Sequence, residues 1–466
     1  MNKFLAKTLQ GDRVVWTIFL FLFIISVVEM FSASSMLVHI SGSVQGPILR
    51  HAMFYAIGFM ALMIVQLVDF KYIRLLGYVG LAASWILLLY TSFFGGVEQA
   101  GAARWIDIGG FRFQPSEVAK LSLIVVVADM IERMQDEERQ NKLFWYVIGA
   151  IVITCGMIFT ENFSTAALLF VITMTMMLIG EINWRKLLTV CTGVVGVVLI
   201  ILLMALFIPD DVFYNSGNPV FEKLERAKTW VARIENFAGD EETVSRFKVT
   251  DDNFQENHAQ MAIARGGFLP SGPGTSVESN YLPEAFSDFI FAIIVEELGF
   301  FMGIFVMFLY LWLLFRAGRV ARQSDSLFCA ILVIGVTLLI VLQAFVHIAV
   351  SVHLIPVTGQ PLPLISRGGT SILVNCIYFG IIISVTKYIQ QQKLAKEMAA
   401  KAVVEPSEKP NVDTPIVTDA EIIEEVNYVD LFNERKLIIV TEFSIKKLKE
   451  KDEQILKEYI EHQNDN

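Results

Sequence analysis

The sequence predicts an all-α polytopic membrane protein of about ten transmembrane helices, with one large extracytoplasmic loop between spans seven and eight. Three observations lead there. Of 466 residues, 55% are hydrophobic and only 18% charged, with a mean hydropathy of +0.56. Soluble chains hold about 25% charged residues, so a soluble enzyme, a disordered chain and a nucleic-acid binder with a basic face are excluded. The apolar residues form continuous runs of about 20 instead of alternating, which favours helices over a barrel. The basic residues are also placed asymmetrically between the runs.

The runs lie at about 14–36, 51–69, 74–94, 115–132, 144–160, 163–181, 187–208, 289–315, 328–350 and 370–389. Ser32-Ala33-Ser34 near the end of the first run offers small residues of the kind found at a signal cleavage site. The run is too long for that reading, and further spans follow at once. With the N-terminus inside, Lys3, Lys7, Lys71, Arg74, Arg133, Arg185, Arg316, Arg319 and Arg322 fall on the inner side. The short outer loops carry only Arg50, Arg104, Arg112 and Arg367. This bias puts both termini in the cytoplasm.

Residues 1–390 are read as the membrane domain and 391–466 as an acidic cytoplasmic tail. The tail has 11 Lys/Arg against 17 Asp/Glu, so it supplies −6 of the net charge of −10. Glu405 to Pro410 reads as a linker. Phe443, Leu448, Ile455, Leu456, Tyr459 and Ile460 form a partial helical stripe, read as a solvated tail or, alternatively, as a docking helix for a cytoplasmic partner.

Three polar clusters face outward on this topology. The first joins Arg104 and Trp105 to Gln114-Pro115-Ser116-Glu117, with Lys120 one turn on. Pro115 suits the first turn of a helix, and Glu117 and Lys120 share a face. They form either a structural ion pair or one wall of a polar cavity. The second ends the long loop of about 209–288, where Glu284 and then Asp288 precede an apolar helix. Asp288 is either an N-cap or a carboxylate held at the membrane surface to take a proton from an alcohol. The third, residues 356–371, is too rich in Pro and Gly for a helix. Irregular backbone there needs protein or water around it. Ser366 and Arg367 stand where it meets the last span, and Arg367 beside free N–H groups suits an anion. A plain loop is the simpler alternative.

Cys155, Cys191, Cys329 and Cys376 all fall in apolar runs without a CxxC pair, so neither a disulfide framework nor a metal site is expected. His347 and His353 are six apart and do not share a helix face.

At these residues the sequence resembles the SEDS family of peptidoglycan polymerases over roughly residues 14–390. The matching stretches are Phe31-Ser32-Ala33-Ser34, Ala103-Arg104-Trp105-Ile106, Gln114-Pro115-Ser116-Glu117 with Lys120, Leu282-Pro283-Glu284-Ala285 with Ser287-Asp288-Phe289-Ile290-Phe291, and Leu362-Pro363-Leu364-Ile365-Ser366 with Gly368-Gly369. The resemblance implies that Asp288 is the catalytic carboxylate and that Arg104, Trp105, Glu117, Lys120, Glu284, Ser366 and Arg367 contact substrate. Departures from the family pattern are Phe286 for its usual His, Ser287 for Thr, Glu161-Asn162-Phe163-Ser164-Thr165 for its turn after span five, and Arg367 for an aromatic. The Pro-Glu-Ala wording and the long tail favour the division branch over the elongation branch.

The implied reaction polymerises lipid II at the outer face of the cytoplasmic (inner) membrane, beside a cognate class B penicillin-binding transpeptidase and other division proteins. Asp288 would be the general base. Lys120, Arg104 or a divalent cation, magnesium or manganese, would offset charge on the leaving diphosphate. No cofactor is otherwise expected. The rival readings are a flippase for the lipid-linked precursor and a non-catalytic scaffold of the division machinery.

Overall fold

The computed structural model describes residues 11–41, 45–94, 97–99, 102–108, 111–207, 228–233, 237, 253–282 and 285–404. The chain divides into two units, Met1–Leu394 and Ala395–Asn466. The site lies in the first. The tail stripe from Phe443 to Ile460 lies outside the described residues.

Seven long helices come first: α1 (Arg13–Ser41), α2 (Gln45–Val65), α3 (Phe70–Phe94), α4 (Pro115–Arg133), α5 (Glu137–Phe159), α6 (Phe163–Ile179) and α7 (Trp184–Phe207). A small antiparallel sheet between α3 and α4 holds β1 (Val97–Gln99), β2 (Ala102–Ile108) and β3 (Phe111–Phe113), in that order. Helices α8 (Phe254–Arg265), α9 (Ile290–Leu298), α10 (Phe300–Arg322), α11 (Leu327–Ser351) and α12 (Gly369–Val404) follow. Eight helices are long and apolar enough to span a bilayer, namely α1, α2, α3, α5, α7, α10, α11 and α12. The 17 residues of α6 and the 19 of α4, although α4 carries several charges, also reach the minimum for a crossing. The protein is therefore a multi-pass membrane protein, with ten helices of spanning length among the described residues.

Local chemistry sets the helix starts. Pro115 opens α4, where its missing N–H removes no bond. The side chains of Asn162 and Ser326 accept from the N–H groups of Thr165 and Cys329 and so cap α6 and α11.

The expected eighth span, read as one helix over 289–315, is two. Gly299 (φ 82°, ψ 168°) breaks it, in a region of backbone space open essentially to glycine alone. The chain reverses there. A Cβ on Gly303 would meet Val295 at 2.8 Å and Phe291 at 3.4 Å, so α10 runs back antiparallel along α9. A continuous apolar run hides such a break, because hydropathy does not register direction. The turn is sealed by Ser271 N–H and Gly272 N–H, both donating to the Glu297 carbonyl, and by Phe300 N–H donating to Gly267.

The opposite end of the bundle is held by charge. Asp129, fully buried, accepts from Arg74, Tyr78 and Arg133. Glu132 pairs with Arg74 and accepts from Ser326 Oγ and Phe328 N–H at the start of α11. Arg316 pairs with Asp12.

Candidate functional site

Residues 356–368 form no helix, yet Leu362 to Ser366 are buried. Backbone carbonyls in such a place need donors, and four helices supply them. His347 Nδ1 lies 2.8 Å from the Gln360 carbonyl, Gln343 Nε2 donates to Pro361 at 2.9 Å, and Tyr310 donates to Pro363 at 2.6 Å. Tyr55 donates to Leu364, and Ser26 to Ile365 at 3.2 Å. The Leu362 carbonyl accepts from the loop itself, at Ile365 and Ser366. The polar residues interrupting α1, α2, α10 and α11 thus line one re-entrant loop.

Asp288 sits against that loop. It immediately precedes Phe289, the residue that caps α9 with no side-chain hydrogen bond. The N-cap reading of Asp288 therefore gives way. Nor does Asp288 lie at the outer start of a span. It stands at the buried end of the α9–α10 hairpin, about 13 Å from the Gly299 turn at 1.5 Å per residue. The carboxylate is half-buried and accepts from Ser287 Oγ at 3.0 Å. Its other oxygen lies 3.5 Å from where a Cβ on Gly359 would be, so the loop backbone passes close to it at a positive-φ glycine.

The turn before Asp288 is pinned by the loop's end. Ser366 Oγ donates to the Ser287 carbonyl at 2.7 Å and accepts from Leu362 N–H at 2.6 Å. Arg367 N–H donates to the Phe286 carbonyl at 2.8 Å. The Arg367 side chain is exposed. Ser366 and Arg367, predicted as site residues, thus lie against the turn that presents Asp288.

Glu117 and Lys120 form an ion pair at 2.7 Å with both side chains buried. Lys120 Nζ also lies 3.5 Å from Gln343 Oε1, and the Gln343 amide holds the Pro361 carbonyl. The pair therefore reaches the same loop through one side chain. Asn162 caps α6, and Thr165 in that first turn accepts from Gln360 Nε2.

Trp105 is half-buried on β2, opposite Val97, and takes no part in these hydrogen bonds. Arg104 has its backbone on the same strand, but its side chain lies outside the described residues, as does Glu284. Sequence reasoning missed Gln343, Tyr310, Tyr55 and Ser26, weighed His347 only as a metal ligand, and placed Gln360 in the third polar cluster without a role of its own. The signal was present, since each is a hydrogen-bonding residue within an apolar span or beside two prolines. Among the described residues no group of three or more His, Cys, Asp or Glu side chains is placed to hold a metal ion.

The arrangement offers a half-buried carboxylate, an exposed arginine at the end of the neighbouring loop, and a turn and loop pinned to each other by hydrogen bonds. This is equipment for taking a proton from a hydroxyl near an anionic leaving group. The family described as FTSW_RODA_SPOVE, cell cycle protein, matches residues 12–391. The chain is 32% identical over 343 residues to the probable peptidoglycan glycosyltransferase FtsW of Taylorella equigenitalis, covering 72% of this chain and 86% of that one. Its fold matches a chain of a peptidoglycan synthase complex with TM-score 0.57 and 20% identity, over 82% of this chain and 99% of that chain. It also matches the rod shape determining protein RodA of Thermus thermophilus with TM-score 0.53 and 20% identity, over 82% and 98%. At that identity the two structures speak to the fold alone.

Proposed function

The chain belongs to the FTSW_RODA_SPOVE family, and from that membership we propose a peptidoglycan glycosyltransferase of cell division in which Asp288 is the general base. The substrate is lipid II, a disaccharide-pentapeptide on an undecaprenyl diphosphate. The 4-hydroxyl of the incoming sugar attacks the anomeric carbon of the growing chain. A new glycosidic C–O bond forms, the bond to the diphosphate oxygen breaks, and the hydroxyl proton passes to the Asp288 carboxylate. The lipid diphosphate leaves with the bonding electrons. A positioned base contributes about 10²–10⁴-fold to such a step.

The observation that carries this reading is the placement of Asp288. It lies at the buried end of a re-entrant hairpin, on a turn fixed by Ser366 and Arg367. Arg367 is the exposed cation at the end of the loop, where the departing diphosphate can reach it, whereas Lys120 is buried in its pair with Glu117. Glu117 and Lys120 then act by holding Gln343 and, through it, the loop. Among the described residues around Asp288 no cluster of His, Cys, Asp or Glu side chains is placed to hold a metal ion.

The site end of the bundle faces outward from the cytoplasmic membrane in this proposal, and both termini are cytoplasmic. The basic end, with Arg74, Arg133, Arg316, Arg319 and Arg322, then lies on the side favoured for positive charge. A class B penicillin-binding transpeptidase is the proposed partner, receiving the nascent strand, with other division proteins around it. The test is polymerisation of lipid II by the purified protein in detergent, with and without a cognate transpeptidase. Glycan product from the wild type and none from Asp288→Asn supports the proposal. Polymerisation by Asp288→Asn at near wild-type rate defeats it.

A further inference from the structure

The tip of the α9–α10 hairpin, at the far end of α9 from Asp288, gathers three acidic side chains on two elements. Glu296 is fully engaged, accepting from Ser276 Oγ and from the N–H groups of Val277 and Glu278. Glu297 accepts on Oε1 from Ser32 Oγ and Ser276 N–H. Its Oε2 is buried and no protein donor reaches it. Glu29, on α1, is 1% exposed, and neither of its carboxylate oxygens has a protein hydrogen-bond partner.

Glu29 and Ser32 are one turn apart on α1 and lie on one face. Ser32 bonds Glu297, and the Glu297 charge acts on Glu29, so Glu29 lies beside the same tip. Ser32 also accepts from Gly274 N–H, so the α8–α9 connection closes over the cluster. Three carboxylate oxygens of Glu29 and Glu297 are thus buried without a protein donor. Among the described residues no Lys or Arg forms an ion pair with any of the three acids. A buried carboxylate left unpaired costs several kcal/mol.

We propose that Glu29 and Glu297 together hold a divalent cation that pins the hairpin tip to α1. Two carboxylates balance a charge of +2, and all the ligand atoms are oxygens. That selects the hard cations, magnesium, manganese or calcium, over zinc. Magnesium in particular is commonly held by one or two carboxylates with water completing its shell. The ion would lie about one α9 length from Asp288, so its role is to fix the hairpin and not to meet the leaving group. This inference is independent of what Asp288 does.

The experiment uses the purified full-length protein in detergent, stripped with EDTA and dialysed. Thermal unfolding is followed by tryptophan fluorescence during titration with magnesium, manganese or calcium chloride, against sodium chloride at equal ionic strength. At a hundredfold excess over Kd, at least one divalent ion is expected to raise Tm by about 3–6 °C. Glu29→Gln is expected to fold and to lose that rise, and Glu297→Gln to lose it as well. Should Glu297→Gln fail to fold, Glu29→Gln alone decides. An equal rise in wild type and Glu29→Gln would overturn the site, because the ion would then bind elsewhere. A wild type insensitive to divalent ions would overturn it too, as would stabilisation by acid alone, which would mean that the carboxyls share protons.

Discussion

Helix α7 is the most apolar of the candidate spans, yet only 6% of its apolar stretch is buried. Helices α11 and α12 are 67% and 78% buried over theirs, although α11 carries Gln343 and His347 and α12 carries Ser371 and Asn375. The difference follows from the solvent. Lipid tails are as apolar as leucine, so hydrophobicity takes a helix into the bilayer but does not bring it to its neighbours. Polar groups do that, because in hydrocarbon they must find partners. In this bundle Ser26, Tyr55, Tyr310, Gln343 and His347 find theirs in the carbonyls of one loop. The site half is therefore held in register by hydrogen bonds along its length, whereas the described contacts of this kind from α7 lie at its start, where Lys186 donates to Asn141.

If that contrast is right, damage should be graded by distance from the loop. The largest effect is expected at Asp288. Asp288→Asn keeps size and polarity but removes the base, and polymerisation of lipid II should fall by about 10²–10⁴-fold with Tm unchanged. Measuring both on one preparation separates chemistry from folding. Next come Glu117 and Lys120. Replacing either alone by Ala strands a buried charge, at a cost of about 3–5 kcal/mol. Exchanging the two should cost clearly less, because charge balance is kept. A double-mutant cycle on thermal stability measures this, and purely additive effects would mean that the 2.7 Å contact contributes nothing.

The same contrast explains what the sequence disclosed. Ten spans, the helix start at Pro115 and the Glu117–Lys120 pairing were legible because each depends on composition or short-range spacing. So was the need of residues 356–371 for a protein surround. The depth of Asp288 was not legible. A run such as 289–315 gives no sign that Gly299 adopts φ 82°, and without that reversal Asp288 would stand at the rim. The loop's donors were hidden for another reason. They come from four helices up to 339 residues away in sequence, and no local pattern links Ser26 to Ile365. Arg104 and Trp105 were singled out as part of the first polar cluster and by the motif around them. Trp105 lies on a strand apart from the hydrogen-bonded cluster.

A third prediction tests the hairpin. Gly299→Ala imposes a Cβ on a backbone state reserved for glycine, at a cost of order 1–3 kcal/mol. That Cβ would also sit 3.0 Å from the Phe268 carbonyl oxygen and the Leu269 carbonyl carbon. The strain falls on the turn whose other end positions Asp288, so activity should drop along with a Tm lowered by a few degrees. Wild-type Tm and activity in Gly299→Ala would mean that the reversal is not rigid, and the site half would lose its claim to be the fixed part.

The smallest effect should come from α7. Leu199 is 53% exposed and Leu339, on α11, is fully buried, so one substitution can be made in both regions. Leu339→Ala leaves a cavity and should cost about 2–5 kcal/mol. Leu199→Ala removes the same atoms, but from a surface that faces lipid in the folded protein. Acyl chains or detergent tails can fill the space, few protein contacts are lost, and the change should stay within about 0.5 kcal/mol. Thermal unfolding of both variants in one detergent reads the difference directly. Comparable losses would mean that α7 is packed against protein as tightly as α11 in solution, and polar bonding would no longer account for which helices are held. A large loss of polymerisation by Leu199→Ala with unchanged Tm would say something else: that α7 takes part in turnover by contacting substrate or partner across its lipid-facing side.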